Sequence, residues 1–270
     1  MSWYRPHHPE AAHEHVLACR WTAYPTGRHR LVPDACMDLV CLVEPPGDVV
    51  RAVLCGPERS AWTFQLPTGV TGVGVRFRPG CASLVFGLDA STLVDRRVAL
   101  AELLGARSEA TIATAVLDAG SPAERALALE RALAPELGRV DPELLGFVDL
   151  MTDLLVSSPR LGQAQLAAHA GVTPRQLHRR LVRTFGHGSA RLGRLLRFQR
   201  FLAVREVAGH DGSIAELAAA AGYADQAHLA RDCRAITGLT VRAFLAEWFP
   251  TFPDMSDPFK TSRPLVATIT

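Results

Sequence analysis

The strongest constraint on this chain is an internal repeat. Residues Leu166–Gly186, LAAHAGVTPRQLHRRLVRTFG, align with Leu217–Gly238, LAAAAGYADQAHLARDCRAITG, with one extra residue after the central glycine. Each copy reads as a short alanine-rich helix, a glycine turn and a second helix that stops at a glycine, a helix-turn-helix pattern present twice. Gly171 and Gly222 suit the turns because glycine reaches positive φ at little cost. Thr173 and Asp225 are candidate N-caps of the second helices, with Pro174 in the first turn of its helix.

On the helical wheel, Leu177, Leu181 and Phe185 form one apolar stripe, and Arg175, Arg179 and Arg183 repeat at the same spacing on the opposite face. In the second copy Leu229, Cys233 and Ile236 form the stripe, with Ala227, Arg231 and Arg234 opposite. Cys233 is therefore expected in the core. His228 lies five residues from it, about 140° around a helix at ~100° per residue, so the two do not converge on a metal ion. Between the copies, ARLGRLLRFQRFLAVREVA (190–208) predicts a long helix with Leu192, Leu195, Leu196 and Leu202 turned inward. If the recognition helices enter successive major grooves on one DNA face, they should lie ~34 Å apart.

Charge divides along the chain in a matching way. Residues 1–159 carry 14 Arg against 19 Asp and Glu, whereas residues 160–249 carry 13 Arg against 6 acids. A domain at +7 attached to one at −5 suggests a polyanion-binding module joined to something else. Arg179 and Arg231 suit bidentate pairing with guanine, and Gln226 suits adenine. Arg183, Arg194 and Arg197 read as phosphate contacts or solvated charge.

At these residues the chain resembles the AraC/XylS family of transcriptional regulators. GYADQAHLARDCRAITGLTVRAF is similar to that family's second motif and LRFQRFLAV to its linker helix, and the resemblance runs from Asp149 to Trp248. It implies base or backbone contacts from Arg175, Gln176, His178 and Arg179 in the first recognition helix, and from Gln226, Ala227, His228 and Arg231 in the second. The chain departs from the pattern at Leu181 and Cys233, where the family usually has phenylalanine, and at Ser189 and Val241, where it usually has proline.

The N-terminal region reads differently. RLVPDACMDLVCLVEPPG, VVRAVLCGPE and WTFQLPTGVTGVGVRFRPG are short β-branched runs bounded by Pro and Gly, which predict strands of a small sheet or barrel. Helical patterns are expected from Pro79 to about Leu137. A strand over 34–43 places Ala35, Met37, Leu39, Cys41 and Val43 on one apolar face and Asp34, Cys36 and Asp38 on the other. Val73, Val75 and Phe77 share a face, leaving Gly72, Gly74, Arg76 and Arg78 opposite, where the glycines would admit a ligand. HRLVPDACMDLV and GVGVRFRPG resemble the N-terminal domain of a subgroup of AraC-type regulators, which implies effector sensing or dimerisation. Asp34, Cys36, Asp38, Arg76 and Arg78 are thus either an effector site or ordinary salt-bridging groups.

The expected fold class is α+β. A β-rich domain, cupin-like barrel or sheet, with trailing helices occupies 1–140, an all-α double helix-turn-helix domain 141–249, and a proline-rich tail 250–270. The expected function is sequence-specific transcription regulation in the cytoplasm. Double-stranded DNA and a small-molecule effector are the partners, and a second copy of the chain and RNA polymerase are further candidates. No run approaches the ~20 apolar residues of a membrane helix. No cofactor or metal site is expected, and no nucleophile, base and orienting acid assemble from spacing, so no enzyme is expected. The alternative is a metal- or thiol-responsive sensor using Cys19, Cys36 or Cys55, with His15 and Cys19 at i, i+4 among the nearby histidines His7, His8 and His13.

Overall fold

The computed structural model describes residues 3–45, 49–208 and 213–248; the tail assigned to 250–270 lies outside them. Among the described residues the N-terminal part holds eight strands, the last after the first α-helix: β1 (Tyr4–His7), β2 (Leu17–Ala23), β3 (His29–Leu31), β4 (Met37–Glu44), β5 (Val49–Cys55), β6 (Trp62–Phe64), β7 (Thr71–Phe77) and β8 (Arg97–Ala99). Six form an antiparallel sheet in the order β1-β2-β7-β4-β5-β8, and β3 pairs with β6 as a separate two-stranded ribbon. Among the described residues β1 pairs only with β2 and β8 only with β5, so the sheet stays open and the barrel alternative is not realised.

The expected alternation is present. Met37, Leu39, Cys41 and Val43 of β4 are buried, as are Val73, Val75 and Phe77 of β7. The strand begins later than the pattern suggested, at Met37, because Ala35 takes a φ of 66° and kinks the chain ahead of it. β8 falls inside the region expected to be helical; three residues at a sheet edge are too few to establish a period.

The trailing helices are α1 (Cys81–Phe86), α2 (Leu100–Leu104), α3 (Ala106–Leu117), α4 (Pro122–Ala132) and α5 (Ala134–Leu137). α4 starts in a capping box of Ser121 and Glu124 and packs on β2 and β7, while α3 packs on β5. Glu130 of α4 is fully buried. It accepts a hydrogen bond from the Glu10 amide at 2.7 Å, pairs with Arg20 at 3.0 Å and lies 2.8 Å from His13 Nδ1.

The helical domain comprises α6 (Pro142–Ser157), α7 (Gln163–His169), α8 (Pro174–Phe185), α9 (Ser189–Ala208), α10 (Ile214–Ala220), α11 (Gln226–Thr237) and α12 (Val241–Trp248). Gly171 and Gly222 turn between α7 and α8 and between α10 and α11 at φ 63° and 86°. α12 forms without the family's proline because Thr240 Oγ1 caps the Ala243 amide at 3.2 Å.

The two domains share one continuous core. Ser83 of α1 donates to the Thr184 carbonyl at 2.7 Å, and Phe185 packs where a Cβ on Gly80 would come within 2.9 Å of its ring. A Cβ on Gly186 would lie 2.5 Å from Pro57 Cγ, so the C-terminus of α8 is seated directly against the N-terminal domain.

Candidate nucleic-acid interface and effector cavity

The second helices of the two repeats, α8 and α11, are built alike. Thr173 caps α8 by accepting from the Gln176 amide at 3.3 Å, and Gln176 Oε1 accepts from the Thr173 amide at 2.9 Å, a reciprocal capping box. Asp225 caps α11 through the His228 amide at 2.6 Å. Leu177, Leu181 and Phe185 are buried on one side of α8, and Leu229, Cys233 and Ile236 on one side of α11. Leu181 and Cys233, smaller than the phenylalanines of the family pattern, are themselves fully enclosed.

The opposite faces are open. Arg175, Gln176, His178, Arg179 and Arg183 are exposed on α8, and Gln226, Ala227 and Arg231 on α11. His228 is half-buried, its ring edge-on to Tyr223 with centroids 5.1 Å apart. Gln176 spends its side-chain carbonyl on the cap, which leaves its amide nitrogen facing outward as a donor. Arg234 is also exposed.

Arg194 and Arg197 do not share this face. Asp232, almost fully buried on α11, pairs with Arg194 at 3.0 Å and with Arg197 at 3.3 Å, and Arg197 also lies over the Tyr223 ring at 5.2 Å. The phosphate-contact expectation for these two arginines gives way to an ion cluster that fastens α9 to α11. An acid on an otherwise basic helix was the signal that could have revealed it.

The second site is a cavity of about 360 Å³ in the N-terminal domain, at the low end of the ~300–1,000 Å³ usual for ligand pockets. Trp3, Tyr4, Trp21, Trp62 and Phe64 line much of it, with aliphatic walls from Leu31, Val40, Leu42 and Val53. Asp34, Cys36, Asp38 and Arg76 of the expected set line it; Arg78 does not. Arg78 follows the end of β7, leaves the strand's alternation, and pairs with Asp149 of α6 at 3.0 Å. Glu58 and Arg97, paired with one another, complete the charged wall, and the Arg97 guanidinium stacks 3.9 Å from the Trp62 ring centroid. The ring wall went unread in the sequence, although three of the chain's four tryptophans, the three of this wall, fall within the first 62 residues.

The wall acids are occupied. Asp38 accepts from Trp21 Nε1 at 2.8 Å and from Arg76 Nε and Nη2 at 3.2–3.3 Å; burial raises its carboxyl, with Arg76 opposing. Asp34 Oδ1 accepts from the Cys36 amide at 2.9 Å, and its Oδ2 lies 3.2 Å from Arg76 Nη1. Burial pushes Glu58 up to about 7 despite Arg97 beside it.

Of the two glycines expected to admit a ligand, Gly72 lines the cavity, while the space over Gly74 is filled by Trp21. A Cβ on Gly74 would meet the ring's Cζ2 at 2.3 Å and the Leu39 carbonyl oxygen at 2.8 Å. Gly74→Ala is therefore expected to lower the unfolding free energy by ~1–3 kcal/mol through overpacking, read as a lower urea midpoint at unchanged slope. A wild-type midpoint would show that the ring does not rest there.

The thiol alternative meets unfavourable chemistry. Burial pushes Cys19 up to about 11 and Cys41, Cys55 and Cys81 up to about 12, and raises Cys36 and Cys233 as well. Few of these thiols ionise near neutrality, and the thiolate is the reactive form. His15 and Cys19 do not share a helix: Cys19 lies on β2 with its sulfur 3.7 Å from Tyr4 Oη. Among the described residues, Glu10, His13 and Glu130 bring potential ligand atoms together, with Glu130 already engaged by Arg20.

Residues 166–247 match the family model of a helix-turn-helix domain, and residues 5–99 match a domain of unknown function, DUF6597. No curated protein matched the sequence. Among solved structures, ToxT from Vibrio cholerae O395 is similar at 10% identity, over 90% of this chain and 97% of that one, with a TM-score of 0.45. ToxT from Vibrio cholerae strain SCE256, solved with an unsaturated fatty acid bound, is similar at 11% identity over 86% and 94% of the two chains, with a TM-score of 0.43. No helix among the described residues is long and apolar enough to cross a membrane.

Proposed function

We propose that this chain, whose C-terminal domain belongs to the AraC-type helix-turn-helix family, is a sequence-specific transcription regulator governed by a small molecule held in its N-terminal cavity. The observation that carries the reading is the pair of capped helices, α8 and α11, each with a buried apolar stripe and an exposed cationic face. Arg179 and Arg231 read base edges in the major groove, with Gln226 as a further base contact. Arg175, Gln176, His178 and Arg183 set the register of α8 on the phosphates and neighbouring bases, and Ala227 and His228 do so for α11.

The cavity is connected to these helices through its own walls. Gln199 of α9 donates to the Pro33 carbonyl at 2.8 Å, and His187 Nε2 lies 3.1 Å from the Glu58 carbonyl. The β3–β6 ribbon is tied to the second unit by Arg30 with Glu247 at 2.6 Å, and the adjoining Ala61 amide donates to the Ile236 carbonyl at 2.7 Å. A ligand that binds one arrangement of these walls better than another changes the population able to engage DNA, in proportion to that difference in affinity. A second copy of the chain and RNA polymerase belong to this proposal as partners, the first testable by light scattering on the DNA-bound and free protein.

Selection of bound fragments from a random DNA pool tests the reading, repeated with a metabolite mixture present. Enrichment of one motif with two recognition elements is expected, with the mixture altering its recovery. A pool that stays random under both conditions sinks the proposal.

A further inference from the structure

The charge bookkeeping of the cavity narrows what it holds. A charged ligand needs a free counter-charge in the wall, because removing an ion from water without one is costly. Here Asp38 has its oxygens engaged by Trp21 and Arg76, Glu58 is engaged by Arg97, and Arg97 is stacked on Trp62. An added anion would face both Asp34 and Asp38 beside Arg76, with Arg97 held by Glu58, and an added cation would find Asp38 and Glu58 engaged and Asp34 3.2 Å from the Arg76 guanidinium. One wall group is left short. Arg76, its side chain 8% exposed, makes its hydrogen bonds through Nε and Nη2, and its buried Nη1 has none, lying 3.2 Å from Asp34 Oδ2 outside hydrogen-bonding direction. The deficit is of an acceptor, and a buried donor left without one costs free energy that a partner recovers. The remaining wall is ring faces and aliphatic carbon, with room for about a dozen groups at ~30 Å³ each.

We infer that the cavity takes an uncharged, flat ring compound carrying one hydrogen-bond acceptor, a carbonyl or ether oxygen, which seats at the Arg76 guanidinium while its rings lie among Trp3, Trp21 and Phe64. This rests on the effector reading and specifies its ligand class.

Calorimetric titration of the full chain with four biphenyls of matched size tests it: 4-acetylbiphenyl, 4-ethylbiphenyl, biphenyl-4-carboxylate and biphenyl-4-methylammonium. The acetyl compound is expected to bind most tightly, by about tenfold over the ethyl compound, the effect of one hydrogen bond to a charged donor. Arg76→Lys keeps the positive charge but not the planar fork and is expected to erase that preference. Leu42→Trp, on the same sheet face as Arg76 and paired with Gly72, is expected to abolish binding of all four by filling the space. Tightest binding by the carboxylate or the ammonium, equal binding by the acetyl and ethyl compounds, or a preference that survives Arg76→Lys each overturns the acceptor inference and leaves the effector reading standing. Binding of none of the four overturns both.

Discussion

Replacing Arg179 and Arg231 together with alanine is expected to weaken operator binding by ~2–6 kcal/mol, since each bidentate contact to a base is worth ~1–3 kcal/mol. The loss should be selective. Both residues sit on exposed faces with their helices anchored from the other side, so their removal leaves the fold and most of the cationic surface in place. Binding to random DNA, which depends on phosphate neutralisation, should fall far less and keep nearly the same dependence on salt. Competition of operator against random duplex at one fixed salt concentration measures the ratio. If both affinities fall by the same factor, these arginines contact phosphates and the base-reading residues lie elsewhere on the two helices.

The second large effect is expected at Asp232. Its carboxylate is 6% exposed and holds Arg194 and Arg197, the latter 13% exposed at its side chain. Removing Asp232 strands the largely buried Arg197, while Arg194, 38% exposed at its side chain, can turn to water, so Asp232→Ala should destabilise the chain by ~3 kcal/mol. Urea unfolding followed by far-ultraviolet circular dichroism gives the number. The triple replacement of Asp232, Arg194 and Arg197 by Leu, Met and Met should recover much of the loss, because an apolar substitute has no charge left to strand. A single Asp232→Ala variant within 1 kcal/mol of wild type would mean that water already solvates the cluster.

What could be read in the sequence, and what could not, follows from how far apart the interacting residues lie. The recognition helices announce themselves locally: stripes at i, i+4 and i+8, caps at Thr173 and Asp225, glycines at the turns. The strand alternation in β4 and β7 is equally local and turns Asp38 and Arg76 toward the cavity, whereas Asp34 and Cys36 line it from the kinked segment ahead of Met37, outside that alternation. The cavity itself depends on which strands become neighbours. Trp21 faces Gly74 across the β2–β7 pairing, and nothing within either segment records that register. The ring wall likewise draws on β1, β2, β6 and the residues around them, separated by up to about sixty positions. Arg78 shows the opposite failure: alternation was carried one residue past the end of its strand.

The seating of Phe185 and Gly186 against Gly80 and Pro57 has a practical corollary. Cutting the chain near residue 140 to obtain the DNA-reading half alone would uncover the end of α8, together with the surface of α6 that meets α1. Such a fragment would carry a fresh apolar patch at the base of its first recognition helix and tend to self-associate. Its poor solubility would then be a property of the cut, and its weak DNA binding no guide to the intact protein.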